Sequence, residues 1–421
     1  MTTYWAPILH LYQPPTQEPE VLRKINRECY QPLFKMIKSQ KNAKFSLNIN
    51  GVLIDLLKEY GMGETIDLLQ EIYRSGKVEI LGTAKFHPIL PLIPKKEVRR
   101  QIHLNEQVNR EIFVENWVKK GFFCPEMAVS PDIIDIIQEF GYKWTILSGI
   151  ACPNSWPYDK IYTSPNGLQL FFRDDILSNN ISFKKIGAKE FVKQIKTMFL
   201  PEDNNEEKEK YDKPSKNPDK YIITAMDGET FGHHINDYEE EFLGKALTLI
   251  SKEKDIESEL ISQLDSKFPL AQESIVPKKS SWSTSADDLD KNVPYPLWKH
   301  PDNRIHVFYW KIMKSLNKLM DIADELKNSE IWDIKNHYQT GRWFYDRALH
   351  SCPLWWANPL NGTWSPNLIY KGIELIMKAA LNAQLALVNA GIDDGEGYFD
   401  SISYYHGLIL MEIYSVSKKQ C

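Results

Sequence analysis

The chain has 421 residues, 43% hydrophobic and 25% charged, a balance that excludes disorder as its main state. Its 51 basic and 56 acidic side chains leave a net charge of −5, which excludes a global positive field for gripping nucleic acid. No apolar run is long enough to span a bilayer, so no membrane partner is expected either.

The five cysteines, Cys29, Cys124, Cys152, Cys352 and Cys421, are scattered and contain no CxxC pair. Reduced thiols and a cytoplasmic location are the expectation. Met1–Pro7 carries no basic, apolar leader pattern and reads as the lead-in to a first strand.

From there a strand-then-helix rhythm continues to about residue 250. The strand candidates are Trp5–Leu11, Lys44–Ile49, Lys77–Leu81, Gly121–Cys124, Lys143–Leu147, Leu168–Arg173 and Tyr221–Met226. Gly63–Arg74 reads as a helix stopped by Ser75-Gly76, Lys95–Lys119 as a long charged helix, and Ser130-Pro131 as the cap of another. Seven strands with helical connections predict an α/β fold, a parallel sheet or barrel. Pro201–Lys220 is nearly all charge, Asn and Pro, and is expected to be a polar surface insertion. Lys252–Phe268 is charged and is predicted to be helical, leading to a Ser/Pro-rich loop over Pro277–Pro301. Beyond it, Arg304–Lys327, Glu330–His350, Pro366–Ala390 and Glu396–Lys418 predict four long helices. In the third, Ile369, Ile373, Ile376, Ala380, Ala383 and Leu387 form a buried stripe. The expected division is a barrel over 1–275, with its insertion near 201–220, and a helical domain over 276–421.

The strand candidates end on polar residues: His10, Asn50, Gly82 with His87 beyond, Glu126, Ser148, Arg173-Asp174 and Asp227. A packed barrel leaves only this rim for chemistry. On a strand, His10 and Tyr12 share one face. Two prolines, Pro88 and Pro91, stiffen the loop after His87, Glu126 closes an apolar strand, and Asp227-Gly228-Glu229 with His233-His234 is the densest polar group. Two carboxylates across a barrel mouth serve glycosidic cleavage, one protonating the leaving oxygen and the other meeting charge at the anomeric carbon. The same His and Asp types would also suit a divalent metal, and spacing does not choose between them.

HLYQPP, GTAKFHPILPL, FFCPEMA and MDGETFGHH, in this order, resemble the first four conserved regions of glycoside hydrolase family 57. The stretch Ser281-Trp282-Ser283 through Asp287-Asp288-Leu289, and His350-Ser351-Cys352 with Trp355-Trp356-Ala357, are also similar to family members. The resemblance implies a (β/α)7 barrel, an incomplete TIM-like barrel, followed by an α-helical C-terminal domain closing over the cleft. It implies a retaining hydrolase or transglycosylase acting on α-glucans, without metal or other cofactor. By motif position Glu126 is the implied nucleophile and Asp227 the implied general acid/base. His10, Gln13 and His87 would hold the sugar and Trp282 would stack on it. Tyr12, Arg173, Glu229, His233 and Trp355 complete the implied substrate side. Tyr12 departs from the family pattern, which has His there, so that contact is a phenol instead of an imidazole. The other readings are a metal-dependent polysaccharide deacetylase and a non-catalytic glucan-binding relative.

Overall fold

The structure, a computed structural model, describes residues 1–113, 117–200, 219–393 and 397–420. The polar insertion expected near 201–220 lies, apart from its last two residues, outside the described residues. The chain divides into two units. One comprises Met1–Gln13, Gln17–Lys85 and Ile102–Trp282; the other comprises Pro14–Thr16, Phe86–Gln101 and Ser283–Cys421.

Among its described residues the first unit holds ten strands: β1 (Thr3–Leu11), β2 (Phe45–Ile49), β3 (Val78–Ile80), β4 (Gly121–Phe123), β5 (Trp144–Ser148), β6 (Ile161–Thr163), β7 (Gln169–Arg173), β8 (Lys220–Asp227), β9 (Ile256–Ser258) and β10 (Leu270–Ser274). β1 is almost wholly buried along its nine residues, the mark of a parallel strand covered on both faces. It pairs in parallel with β2 and β8, while β2 pairs with β3, β4 with β5 and β5 with β7. Two joints have no ladder. Between β3 and β4 there is a single parallel bridge, Gly82 to Phe122, with Gly82 N donating to Gly121 O at 2.9 Å. Between β7 and β8, Asp174 N donates to Ile223 O at 2.8 Å and Arg173 Nε to Ala225 O at 2.9 Å. The order β1-β2-β3-β4-β5-β7-β8 thus returns to β1, the seven parallel strands expected of a (β/α)7 barrel. Its interior is packed by Ala6, Ile8, Leu81, Phe123, Met127, Trp144, Ile146, Phe171, Tyr221, Ile223 and Ala225.

Gly82 sits where no side chain fits, since a Cβ there would lie 2.1 Å from the Tyr142 hydroxyl. The outer helices bury one stripe each. In Gly63–Arg74 that stripe is Ile66, Leu69 and Ile72; in Pro131–Glu139 it is Ile133, Ile134, Ile136 and Ile137.

Three local expectations change. Lys252–Phe268 is not one helix, because Ile256 is buried beside Thr3 as β9 pairs with β1, and only Ile261–Leu264 is helical. The long helix runs Lys95–Phe113 and not to Lys119, for Trp117 leaves it to donate its indole N–H to Ile80 O at 3.3 Å. β6 and β10 were not expected; β6 runs antiparallel to β7 and β10 parallel to β6.

The second unit contains the helices Arg304–Ala323, Trp332–Ala348, Pro366–Asn389 and Tyr398–Gln420. Ile369, Ile373, Ile376, Ala380, Ala383 and Leu387 are all buried, as their spacing predicts. Within this unit Arg342 pairs with buried Glu97, and Arg100 grips Asp346 through two bonds of 2.8 and 2.7 Å. No helix among the described residues is long and apolar enough to cross a membrane.

Candidate active site

β4 ends at Phe123, and Cys124-Pro125 carries the chain into a tight turn containing Glu126. Glu126 has φ 57° and ψ 18°, and Met127 follows at φ 49°, so two consecutive residues with side chains occupy left-handed backbone. Each such residue costs on the order of 1–3 kcal/mol and persists only where its surroundings hold it. Here the holding segment is 280–282. Val129 N donates to Ser280 O at 2.9 Å, Trp282 N donates to Glu126 O at 3.1 Å, and the Trp282 indole N–H donates to Glu126 Oε2 at 2.8 Å. Backbone and carboxylate of one residue are therefore fixed by the same tryptophan.

Asp227 ends β8 beside His10, which stands opposite it on β1. The next residue must be small, because a Cβ on Gly228 would lie 2.3 Å from Leu11 Cδ2. Glu126 and Asp227 therefore follow the C-terminal ends of the fourth and seventh ring strands. Burial pushes the Glu126 carboxyl up to about 8, with the charge of Asp227 adding to the shift and the Trp282 N–H opposing it. Burial also raises Asp227, to about 6, against the pull of the Arg173 guanidinium. The two carboxyls titrate as a pair, and near neutral pH they hold one proton between them.

His10 stacks on Phe123 at 5.2 Å between centroids and 7° between planes, and meets Trp282 edge-on at 5.8 Å. Its Nδ1 pairs with Asn48 Oδ1, which puts the ring proton on that nitrogen. Burial keeps the ring neutral, lowering its pKa to about 4. Tyr12, one residue past the end of β1, stacks near His10 at 6.2 Å. Arg173 is buried and spends Nη1 on Asp175 at 2.8 Å and Nη2 on Asn179 at 2.9 Å, with its guanidinium 5.8 Å from the Trp282 ring.

Glu229 is gathered into a separate knot. Its Oε1 accepts from the Tyr30 hydroxyl at 2.6 Å, Gln13 Nε2 at 3.2 Å and Tyr12 N at 3.3 Å. Burial raises its pKa to about 7, opposed by the Tyr30 bond and assisted by the charge of Asp227. Tyr30 ends a π-turn, Asn26–Tyr30, whose extra residue also aims Cys29 Sγ at Gly228 O, 3.2 Å away.

Of the residues expected at the site, the first unit brings together His10, Tyr12, Gln13, Glu126, Arg173, Asp227, Glu229 and Trp282. His233 turns instead to Glu28, at 2.7 Å. His87 and Trp355 belong to the second unit. There His87 Nδ1 bonds Ser351 Oγ at 2.9 Å, and Trp355 packs edge-on against Trp356 at 4.7 Å. Sequence reasoning missed Tyr30, Asn48 and Asp175. Asn48 carried a signal, a polar residue near the end of an apolar strand; Tyr30 carried none, since a π-turn has no spacing signature. Among the described residues no group of three His, Cys, Asp or Glu side chains is arranged to hold a metal ion.

Comparison with known proteins adds a family match. The model for "Glycosyl hydrolase family 57" matches residues 2–275. An alpha-amylase of Pyrococcus horikoshii is 24% identical over 368 residues, 83% of this chain and 52% of the relative. A 4-alpha-glucanotransferase of Thermococcus litoralis is 22% identical over 241 residues, 55% of this chain and 33% of the relative. The chain thus spans about half the length of the first of these and a third of the second. Among solved structures, a GH57-type branching enzyme from Pyrococcus horikoshii superposes with TM-score 0.72 at 14% identity, covering 98% of this chain and 96% of that one. At that identity the likeness is one of fold.

Proposed function

We propose, because this chain belongs to glycosyl hydrolase family 57, that it cleaves or transfers α-glucosidic bonds in α-glucans by a retaining, two-step reaction. The relatives named alpha-amylase and 4-alpha-glucanotransferase support the substrate class. The observation that carries the mechanism is the coupled pair of carboxyls, one of them set on a strained turn and held by an indole N–H.

In the first step a Glu126 oxygen attacks the anomeric carbon while the bond to the leaving oxygen breaks and Asp227 gives that oxygen its proton. In the second, the Asp227 carboxylate takes a proton from water or from an acceptor sugar hydroxyl. That oxygen attacks the same carbon, and Glu126 leaves as a carboxylate. Two inversions retain the configuration, and water or sugar as acceptor separates hydrolysis from transfer. The working state needs Glu126 ionised and Asp227 protonated. The Trp282 N–H favours the first, but burial raises Glu126 above Asp227, so this arrangement is the minor form of the one-proton pair.

His10, Tyr12 and Trp282 then form an aromatic wall for the sugar, with Arg173 and the Gln13–Glu229 knot fixing its base. We also assign a substrate contact to His233. Residues 1–275 are assigned the chemistry, and the buried thiols of Cys29, Cys124 and Cys152 suit a cytoplasmic enzyme.

Replacing Glu126 with Gln tests the reading. Turnover of maltoheptaose should fall by several orders of magnitude while glucan binding persists, and a loss below about tenfold rejects the assignment. For Asp227→Asn, an aryl glucoside with an activated leaving group should keep its first step, and azide should restore turnover as an α-glycosyl azide. Azide rescue in Glu229→Gln but not in Asp227→Asn would move the acid role to Glu229.

A further inference from the structure

The helix Trp332–Ala348 buries Ile334, Gly341, Tyr345 and Ala348 along one side. On the opposite side stand Trp332, Asn336, Gln339 and Trp343, all exposed. Their spacing of four, three and four residues keeps them within one narrow stripe. The two indoles are exceptionally open for their type, Trp332 at 72% exposure and Trp343 at 50%. Eleven residues separate them, a rise of about 16 Å along the axis at 1.5 Å per residue. Arg347 covers one face of the Trp343 ring at 3.5 Å from its centroid, and Phe344 meets it edge-on at 4.9 Å, so the ring is held in orientation while half its surface stays open.

We propose that this stripe is a second glucan-binding site, a track that holds an α-glucan chain by stacking sugar rings on Trp332 and Trp343. Asn336 and Gln339, lying between them, would hydrogen-bond its hydroxyls. The proposal rests on the α-glucan reading of the catalytic site.

The chemistry of the stripe favours a sugar chain over a protein partner. A helix that docks in a protein groove presents apolar anchors at every turn of the contact face. This stripe instead places two neutral amides at the intervening positions, and neither makes a hydrogen bond among the described residues. The four stripe residues are themselves uncharged, and the nearest cation the ring contacts show is Arg347, whose guanidinium lies against Trp343. The apolar C–H faces of pyranose rings match the flat indoles, and both amides offer a donor and an acceptor. The length between the indoles suits an oligosaccharide of several units and exceeds what a single sugar could bridge.

The test is native electrophoresis of the full chain through gels containing glycogen, comparing wild type, Trp332→Ala and the double variant W332A/W343A. It is paired with turnover of the shortest maltooligosaccharide that the wild type converts. Trp332→Ala alters a side chain with almost no packing, and circular dichroism checks the double variant. Glycogen should retard the wild type, with affinity falling at least about tenfold in the double variant as two aromatic anchors are lost. Short-substrate turnover should stay unchanged. Equal retardation of wild type and double variant overturns the proposal. So does a wild type that converts maltooligosaccharides but is not retarded, and in that case the catalytic reading stands. A wild type that neither binds nor converts any α-glucan removes both. A double variant that changes the oligomeric state on size exclusion, with glycogen retardation intact, marks the stripe as a contact between copies and overturns the track.

Discussion

Trp282 acts on Glu126 twice, through the backbone and through the carboxylate, and the two contacts separate on mutation. Trp282→Phe keeps a ring against His10 and Phe123 and removes only the N–H to Glu126 Oε2. Without that donor the Glu126 pKa rises further, so fewer molecules carry the productive arrangement of Glu126 ionised and Asp227 protonated. The kcat/KM of the wild type should follow a bell in pH. Its acid limb lies near the 6 of Asp227 and its alkaline limb near the 8 of Glu126. In Trp282→Phe the maximum should drop and the alkaline limb should move up, with the acid limb unmoved. A rigid shift of the whole bell would contradict this. At this scale the sequence was partly legible. Glu126, Asp227 and His10 end apolar strands and stand out by position. The left-handed turn does not, because Glu and Met have no preference for it; the clamp from Ser280 and Trp282 imposes it across more than 150 positions.

Among the elements, the joint between β3 and β4 is one of the two thin parts of the ring, a single bridge at Gly82 against Phe122. It is tight because the Tyr142 ring fills the space beside Gly82, with its hydroxyl bonded to Glu106 at 3.1 Å. Gly82→Ala should therefore push the ring and part the bridge, costing about 1–3 kcal/mol as overpacking does. Thermal melting would show this, and an unchanged midpoint would mean that the joint yields. The seven ring strands were legible because parallel strands buried on both faces read as apolar runs. β6, β9 and β10 were not. They are short and lie outside the ring's strand-then-helix rhythm, and β9 in particular is fixed by pairing with Thr3–Trp5, a contact no local pattern carries. The four long helices of the second unit were legible from caps and period alone. The π-turn that delivers Tyr30 was invisible for the opposite reason: its residues fit an ordinary helix equally well.

For the molecule as a whole, the acceptor decides the product. A time course on maltoheptaose giving shorter sugars alone would identify hydrolysis, and the appearance of longer ones would identify transfer. The carboxyls proposed to carry the chemistry also shape how stability varies with pH. Glu126, Glu229 and Asp227 bind protons more readily folded than unfolded, so folding weakens as pH climbs from the ordinary carboxylate range up to their values near 8, 7 and 6 and recovers as pH falls. His10, His306 and His350 work the other way. Burial lowers all three from 6.5, so stability is lost as pH falls below that value. The melting temperature should therefore vary little between about pH 4.5 and 6, where the two sets oppose each other, and decline from there toward about pH 8, and Glu126→Gln should lessen that alkaline decline. A protein so built is best kept slightly acidic, since each step toward alkaline pH adds charge to carboxyls that the fold keeps from water.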